Sequence, residues 1–339
     1  MRWLISVVVV AALLWAGLWF AASTALRRGT VAGFDAMNAQ GLVASRSDIA
    51  VMGFPNRLDL TLTEPRFLDP VTGVGYDAPF LQLFAMTWRP WHLIAAFPPE
   101  QRLTSPAGEA ALGAGRLQAS LIVTPSTTLP LDRLALAGDA LVLSLAPLDA
   151  APSRITLDSL RLGTRRDPSR ANTHEIGLDI AGITPDPAFR AALPDASDLP
   201  ERIERLRIVA FAGLSAPLDR HAGETRPGLT RLDLREARFA WGPILVTAEG
   251  SILPDATGLA EGRIDIRLTG WQSALDAAIA AGLIRPEIAP TWAELARRLS
   301  DTSPDPARID LPLTMSRGRM SLGPFPLGPS PRLVGAPRG

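Results

Sequence analysis

Histidine is the side chain best suited to exchange protons near neutral pH or to bind zinc, and this chain has three. His92, His174 and His221 stand far apart, without the spacings, such as two histidines four residues apart, that are typical of metal sites. Cysteine and lysine are absent from all 339 residues. Their absence excludes disulfides, thiol nucleophiles, Schiff bases and the lysine of nucleotide-binding loops. We therefore expect no metal and no cofactor.

Motifs for nucleophilic or nucleotide chemistry are equally scarce. The chain has no G-x-S-x-G segment, which would mark a nucleophilic serine. The segment Gly73–Ala78 fits G-x-G-x-x-A, but Pro70 precedes it and Pro79 follows it, so we predict a turn. Carboxylates are plentiful, yet no spacing selects an acid–base pair. These observations favour a protein that is not an enzyme.

Net charge bears on the choice of partner. Acidic and basic residues balance at 34 each, and every basic one is arginine. A nucleic-acid-binding protein needs a basic surplus to displace counterions from phosphates. We therefore expect no nucleic acid partner.

Aromatic residues provide the strongest candidate for binding. Two tryptophans flank an Arg-Pro pair in Trp88–His92, and an apolar run follows as far as Phe97. Such side chains could line a groove for a lipid or a peptide, or lie at a membrane interface. The alternative is a strand end with packed tryptophans. We predict Trp88, Trp91 and Phe97 as ligand-binding residues.

An uncharged run, Trp3–Ala22, precedes these residues. A membrane-spanning helix needs about 20 apolar residues, whereas the apolar part of a cleaved signal peptide has about 7–15. Trp3, Trp19 and Phe20 stand near the ends of the run, where interfacial aromatics are enriched. The run predicts a single-pass inner-membrane anchor with the rest of the chain in the periplasm.

Two observations leave alternatives to this anchor. Arg2 before the run and Arg27 and Arg28 after it nearly balance, so the positive-inside rule gives little help with orientation. The small residues Ala21–Ser23 would also suit cleavage, which would release a soluble envelope protein.

Alternation of aliphatic and polar residues indicates that strands form most of the remaining chain. It recurs at Leu58–Leu62, Leu117–Val123, Ile155–Leu162, Ile176–Ile180, Leu232–Leu234, Ile264–Leu268 and Ile309–Leu313. The pattern Arg, aliphatic, Asp, aliphatic starts at Arg57, Arg231, Arg263 and Arg308. It predicts strands with an apolar face and a charged face that carries cross-strand pairs.

Helices are predicted at few places. Val31–Gln40 should form a short helix that ends at Gly41. Ser273–Ile284 and Thr291–Ser300 should form two more, the latter with Thr291 as its N-cap, and Pro200–Arg207 a shorter one. Glycine and proline are frequent from residue 323 to 339, which should be a mostly irregular tail.

Three stretches resemble the domain of unknown function 2125 family of bacterial envelope proteins. They are Gly53–Leu58, Trp88–Phe97 and the C-terminal part, with Gly270-Trp271, Ala281–Pro286, Leu311–Leu313 and Leu322–Pro329. With the apolar N-terminal run, the resemblance covers nearly the whole chain, although residues 100–260 match only in strand character. It implies an architecture and a location but no catalytic residues. A weaker analogy of layout is with AsmA-like envelope proteins.

These observations predict a mainly β protein with an N-terminal transmembrane helix and a long, curved, groove-like antiparallel sheet covered by two or three helices. We expect an anchor at 1–28, a β-rich envelope domain at 29–322 with a subdivision near 195, and a tail at 323–339. The predicted function is non-enzymatic binding of lipid or another hydrophobic ligand. A structural or assembly partner of envelope complexes and a hydrolase of an envelope polymer are the alternatives.

Overall fold

The computed structural model describes residues 1–194, 197–301, 307–323 and 325–333. In this part of the chain the protein is mainly β, with a long N-terminal apolar helix and one large antiparallel sheet that is not closed. The predicted fold class is confirmed in these respects. The chain divides into two compact units, Met1–Val123 with Leu136–Ser153, and Thr124–Ala135 with Arg154–Gly339. The predicted subdivision near 195 and the end of the predicted tail, 334–339, lie outside the described residues.

The elements of the first unit start with a 38-residue helix. They are α1 (Arg2–Ala39), β1 (Val43–Ser45), β2 (Asp48–Met52), β3 (Arg57–Thr63), β4 (Arg66–Asp69), β5 (Val74–Asp77), β6 (Phe80–Met86), β7 (Arg89–Ala96), β8 (Glu100–Ser105) and β9 (Gly108–Val123). The next strand, β10 (Leu131–Pro147), has residues in both units.

The remaining elements are long strands with short helices between them. They are β11 (Ser153–Arg166), β12 (Thr173–Thr184), α2 (Pro187–Ala191), β13 (Ile203–Leu214), α3 (Ala222–Thr225), β14 (Leu229–Trp241), β15 (Ile244–Pro254), β16 (Ala260–Thr269), α4 (Trp271–Ala280), a 3₁₀ turn (Pro286–Ile288), α5 (Ala289–Asp301), β17 (Arg308–Ser316), β18 (Arg319–Leu322) and β19 (Phe325–Pro329). Strand β19 lies within the predicted tail.

Helix α1 joins two segments that the sequence predicted as separate helices. It runs without interruption from the apolar run to Ala39 and ends before Gly41, whose φ is +89°. It is long and apolar enough to span a membrane, which is consistent with a single-pass anchor. Its C-terminal half packs on the first unit, where Phe34 is buried with Ile49, Leu60 and other apolar residues of the sheet.

The strands of the second unit follow one another as a meander. From β11 to β19 each strand pairs antiparallel with the next, as hairpin connections favour. The alternating segments predicted to be strands all lie in strands. In the segment Gly73–Ala78, only Gly73 lies in a turn; the prediction of a turn over the whole segment was wrong, because Val74–Asp77 form strand β5.

Three predicted helices differ from those observed. Thr291 lies inside α5, which begins at Ala289 directly after the 3₁₀ turn, so Thr291 is not an N-cap. Helix α4 begins two residues before Ser273 and ends at Ala280. A helix at Pro200–Arg207 was wrong, because Ile203 starts β13, and pairing with β12 and β14 outweighs a weak local preference.

Candidate functional site

The three predicted binding residues do not form one site. Trp88 lies in the turn between β6 and β7 and is 55% exposed. Trp91 is half-buried near the start of β7, and Phe97 follows the other end of that strand. At about 3.3 Å per residue, Trp91 and Phe97 are about 20 Å apart along the chain. The structure therefore separates Phe97 from the two tryptophans.

A continuous apolar surface lies instead on one face of the second unit. Seven neighbouring strands, β11–β17, place aliphatic side chains opposite one another in register, and these residues form what we call the central row. They are Leu162, Leu178, Ile208, Ala237, Ala248, Ile266 and Leu311. Because directly opposed residues share a face, the central row crosses all seven strands on one side of the sheet.

A second apolar row lies beside the central row on the same face. Its members are Leu160, Ile180, Leu206, Phe239, Val246, Leu268 and Ile309. We call the two rows together the apolar face. The two rows lie two positions apart on each strand and so span three residues along it, and an apolar face of this kind is typical of a sheet that contacts another apolar layer.

Packing covers the apolar face unevenly. At one end, a cluster around Trp241 of β14 packs against Phe239, Val246 and Leu268 of the second row. Ala274 of α4 packs against the same cluster. Beyond the other side of the central row, Ile252 and Met315 anchor a second cluster. Between these clusters the central row is only half-buried, and Leu162 is 41% exposed. The central row is therefore apolar surface that the described side chains cover incompletely.

The opposite face of the second unit is charged and neutralised locally. Asp179 accepts a hydrogen bond of 2.8 Å from Nε of Arg205 and lies 3.3 Å from Arg207, which also reaches Glu236 at 3.1 Å. The hydrogen bonds from Arg205 lower the pKa of Asp179. Exposed pairs of this kind each contribute about 0–1 kcal/mol, so they specify the solvent side more than they stabilise it.

The recurrent Arg-x-Asp pattern pairs differently from the sequence prediction. The predicted shared face is confirmed, but each arginine reaches the aspartate two residues along its own strand rather than one on a neighbour. The four pairs, at 2.6–2.9 Å, are Arg57–Asp59, Arg231–Asp233, Arg263–Asp265 and Arg308–Asp310. Side chains at positions i and i+2 of a strand lie on one face, which brings these charges together.

A pocket of about 440 Å³ adjoins the β11–β12 hairpin in the second unit. Arg166, Arg170 and His174 are among its lining residues. His174 is 3% exposed, lies opposite Arg166 and Ala212 in the sheet, and has Nδ1 3.4 Å from the Thr164 hydroxyl. Its position in the register puts it on the same side of the sheet as the apolar face.

Burial of His174 predicts a loss of stability in mild acid. Desolvation and, secondarily, Arg166 lower its pKa, while Asp132 opposes the shift. In the unfolded chain His174 is protonated near pH 6.5, whereas in the folded chain it is protonated only at lower pH. The free energy of unfolding therefore decreases as the pH falls through about 6.5. Denaturant titrations of the full chain between pH 7.5 and 5 should show this decline. In His174→Gln the decline should be smaller; an unchanged slope would contradict the assignment.

Among the described residues, no group of three His, Asp or Glu side chains could hold a metal ion. His92 lies on β7 with Nε2 3.0 Å from the Ser120 hydroxyl of β9, within the first unit. The contact between His92 and Ser120 is an ordinary cross-strand polar pair.

Comparison with known proteins assigns the chain to a family whose model covers most of its length. The family described as "Uncharacterized protein conserved in bacteria (DUF2125)" matches residues 19–331. The chain belongs to this family. Searches among curated proteins and among solved structures gave no match. The predicted resemblance to DUF2125 is confirmed, while the analogy of layout with AsmA-like proteins stays a prediction.

The sequence of this DUF2125 chain predicted the apolar side of single strands but not the continuous apolar face. Alternation at Ile176–Ile180 and Ile264–Leu268 showed that each strand has an apolar side. It could not show that these sides align across seven strands, because register depends on the turns and on the bulge in β14. The aromatic segment at Trp88 drew attention because of its composition, whereas the central row has ordinary aliphatic residues.

Proposed function

We propose that this DUF2125 protein is a single-pass membrane protein that binds acyl chains of membrane lipid on the apolar face of its second unit. The observation that carries the proposal is the central row, seven aliphatic side chains in register that are only half-buried. Covering apolar surface yields about 25 cal/mol per Å², so an acyl chain along this row would gain substantial free energy. The proposed role is binding and involves no catalysis.

The membrane supplies the proposed ligand. Helix α1 is long and apolar enough to span a bilayer, so the chain would stay where acyl lipids are abundant. We place both units on the periplasmic side of the inner membrane, a position supported by the N-terminal location of the apolar helix. The pocket with Arg166 and His174 offers hydrogen-bond donors to a polar headgroup.

A phospholipid with a photoreactive diazirine in its acyl chain tests this proposal. The full chain is reconstituted in vesicles with this lipid, irradiated and digested, and crosslinked peptides are identified by mass spectrometry. We expect crosslinks on strands of the central row, for example at Leu178, Ile208 and Ile266, in addition to those on α1. Crosslinks confined to α1 would show that the apolar face binds no lipid.

A matched pair of variants isolates the apolar face. Ile208→Gln puts an amide in the centre of the row and should reduce crosslinking in the second unit about tenfold, because burying that polar group costs on the order of 1.4 kcal/mol. Thr247→Gln adds the same amide on the opposite face and should leave crosslinking unchanged. Equal effects of the two substitutions would overturn the assignment of the face.

A further inference from the structure

Two turns of the first unit lie side by side. One connects β2 and β3 over residues 53–56, and the other connects β6 and β7 at Thr87 and Trp88. Both the backbone N–H and the hydroxyl of Thr87 donate to the carbonyl oxygen of Asn56, each at 3.1 Å. We call these segments the paired turns. They contain the Gly-Phe-Pro-Asn sequence and the first tryptophan of Trp-Arg-Pro-Trp, for which the apolar face offers no role.

Helix α1 holds the paired turns through its tryptophans. The indole N–H of Trp15 donates to the carbonyl oxygen of Pro55 at 3.0 Å, and the indole N–H of Trp19 donates to the carbonyl oxygen of Arg57 at 2.7 Å. The Phe54 ring lies 5.4 Å from the Trp19 ring and 5.8 Å from the Phe20 ring, between centroids. The paired turns are therefore fixed beside residues 15–20 of α1.

These contacts set the depth of the paired turns relative to the apolar run. Helical residues rise 1.5 Å each, so Trp19 lies about 4.5 Å, and Trp15 about 10 Å, before the end of the run at Ala22. If the run Trp3–Ala22 crosses the hydrocarbon layer of about 30 Å, both contacts lie inside the leaflet nearer Ala22. The paired turns would then reach the same depth.

The surface of the paired turns suits that depth. Phe54 and Trp88 in the turns are 53% and 55% exposed, and Met52, the last residue of β2, is 68% exposed; such a group of exposed large apolar side chains is unusual. Residues 53–56 carry no charge. Arg57 and Arg89 are the first residues after the two turns, and both are opposite Met86 in the sheet. Arginine side chains at such a boundary can reach lipid phosphates.

Glycine is required to shape the first of these turns. Gly53 has φ +100°, and a Cβ atom there would lie 2.9 Å from the carbonyl oxygen of Arg57. The same turn is closed by hydrogen bonds from the N–H groups of Asn56 and Arg57 to the Gly53 carbonyl. The backbone thus holds the Phe54 side chain outward rather than in the core.

We propose that the paired turns insert just below the headgroup–acyl boundary, into the outer part of the acyl layer of the leaflet from which α1 emerges, forming a second membrane contact beside the anchor. This inference rests on the membrane-spanning role of α1 in the proposed function. It is independent of lipid binding on the apolar face. The occupant is the bilayer itself, because the turns adjoin the proposed spanning segment through Trp15, Trp19 and Phe20.

The absence of cysteine permits a clean test. Single cysteines replace Met52, Met86, Val71 and Val9 in separate full-length variants, which are labelled with a nitrobenzoxadiazole maleimide and reconstituted in phosphatidylcholine–phosphatidylglycerol vesicles. Doxyl lipids with the spin label high or low on the acyl chain then quench the fluorophore. Position 71 is the control outside the membrane. Val71 is 93% exposed in the β4–β5 turn, which follows the pairing of Leu68 with Val43 and lies at the opposite end of the strands from the paired turns.

Labels at positions 52 and 86 should be quenched several-fold more by shallow doxyl lipid than the label at position 71. Position 9 should be quenched most by deep doxyl lipid. If the label at position 9 is quenched but the labels at 52 and 86 are quenched no more than the label at 71, the inference is overturned and the anchor is left intact. An unquenched label at 9 would overturn the anchor together with the inference. Trp88→Ser should weaken quenching at position 52.

Discussion

Replacing Trp241 with alanine is expected to lower the free energy of unfolding by about 3–5 kcal/mol. Trp241 is 3% exposed at the end of β14 and packs with Leu199, Ile244 and Phe189. Its removal would leave a cavity below α4, and the cluster that supports one end of the apolar face would lose its largest side chain. Denaturant titration of the full chain in detergent, followed by tryptophan fluorescence, measures the loss.

Two further variants separate the contributions to this value. Trp241→Phe retains much of the apolar volume and should cost about 1 kcal/mol, since the indole hydrogen bond to the Pro200 carbonyl is lost. Arg190 still donates to that carbonyl, so no acceptor is left unpaired. Trp88→Ala removes an exposed tryptophan and should change stability little. A loss below about 1 kcal/mol in Trp241→Ala would contradict the packing described.

Gly250→Ala should lower the free energy of unfolding by about 2 kcal/mol or more. Gly250 lies in β15 with φ +153°, and a Cβ atom there would lie 2.2 Å from the Arg263 carbonyl oxygen and 2.7 Å from Cα of Ile264. Relief of this clash requires β15 and β16 to separate next to the central row. The same denaturant titration reports the loss.

Gly177→Ala is the matched control for this substitution. Gly177 also lies within a strand of the second unit, but nothing would approach its Cβ within 4 Å. Alanine there should be neutral or stabilise by up to about 1 kcal/mol, because it restricts the unfolded chain. Equal destabilisation by the two substitutions would show that close strand approach at Gly250 is not the cause.

Local sequence patterns predicted the elements of this fold better than their partners. Alternation located strands such as β3 and β12 because one side of each faces an apolar layer. The helix prediction at Pro200–Arg207 was wrong because β13 derives its structure from pairing on both sides, which local preference does not include. The continuity of α1 was missed because Arg27 and Arg28 interrupt its apolar pattern without interrupting its backbone.

Side-chain partners were the part of the candidate sites that could not be predicted. Arg231 and Asp233 were expected to pair across strands, yet they pair with each other, and Arg170 reaches Asp233 from a loop 63 residues away in sequence. The Trp88 segment was recognised by composition. Its contact with the Asn56 turn depends on the β3–β6 register, which no single segment encodes.

Helix α1 has no joint between its apolar half and the half that packs on the first unit through Phe34. A spanning helix adjusts to the thickness of its bilayer by tilting. If α1 spans the bilayer as proposed, its unbroken backbone would transmit such a tilt to the sheet of the first unit as a lean of the same angle. The orientation of that unit above the membrane would then report local bilayer thickness, which links lipid composition to the direction in which the unit faces.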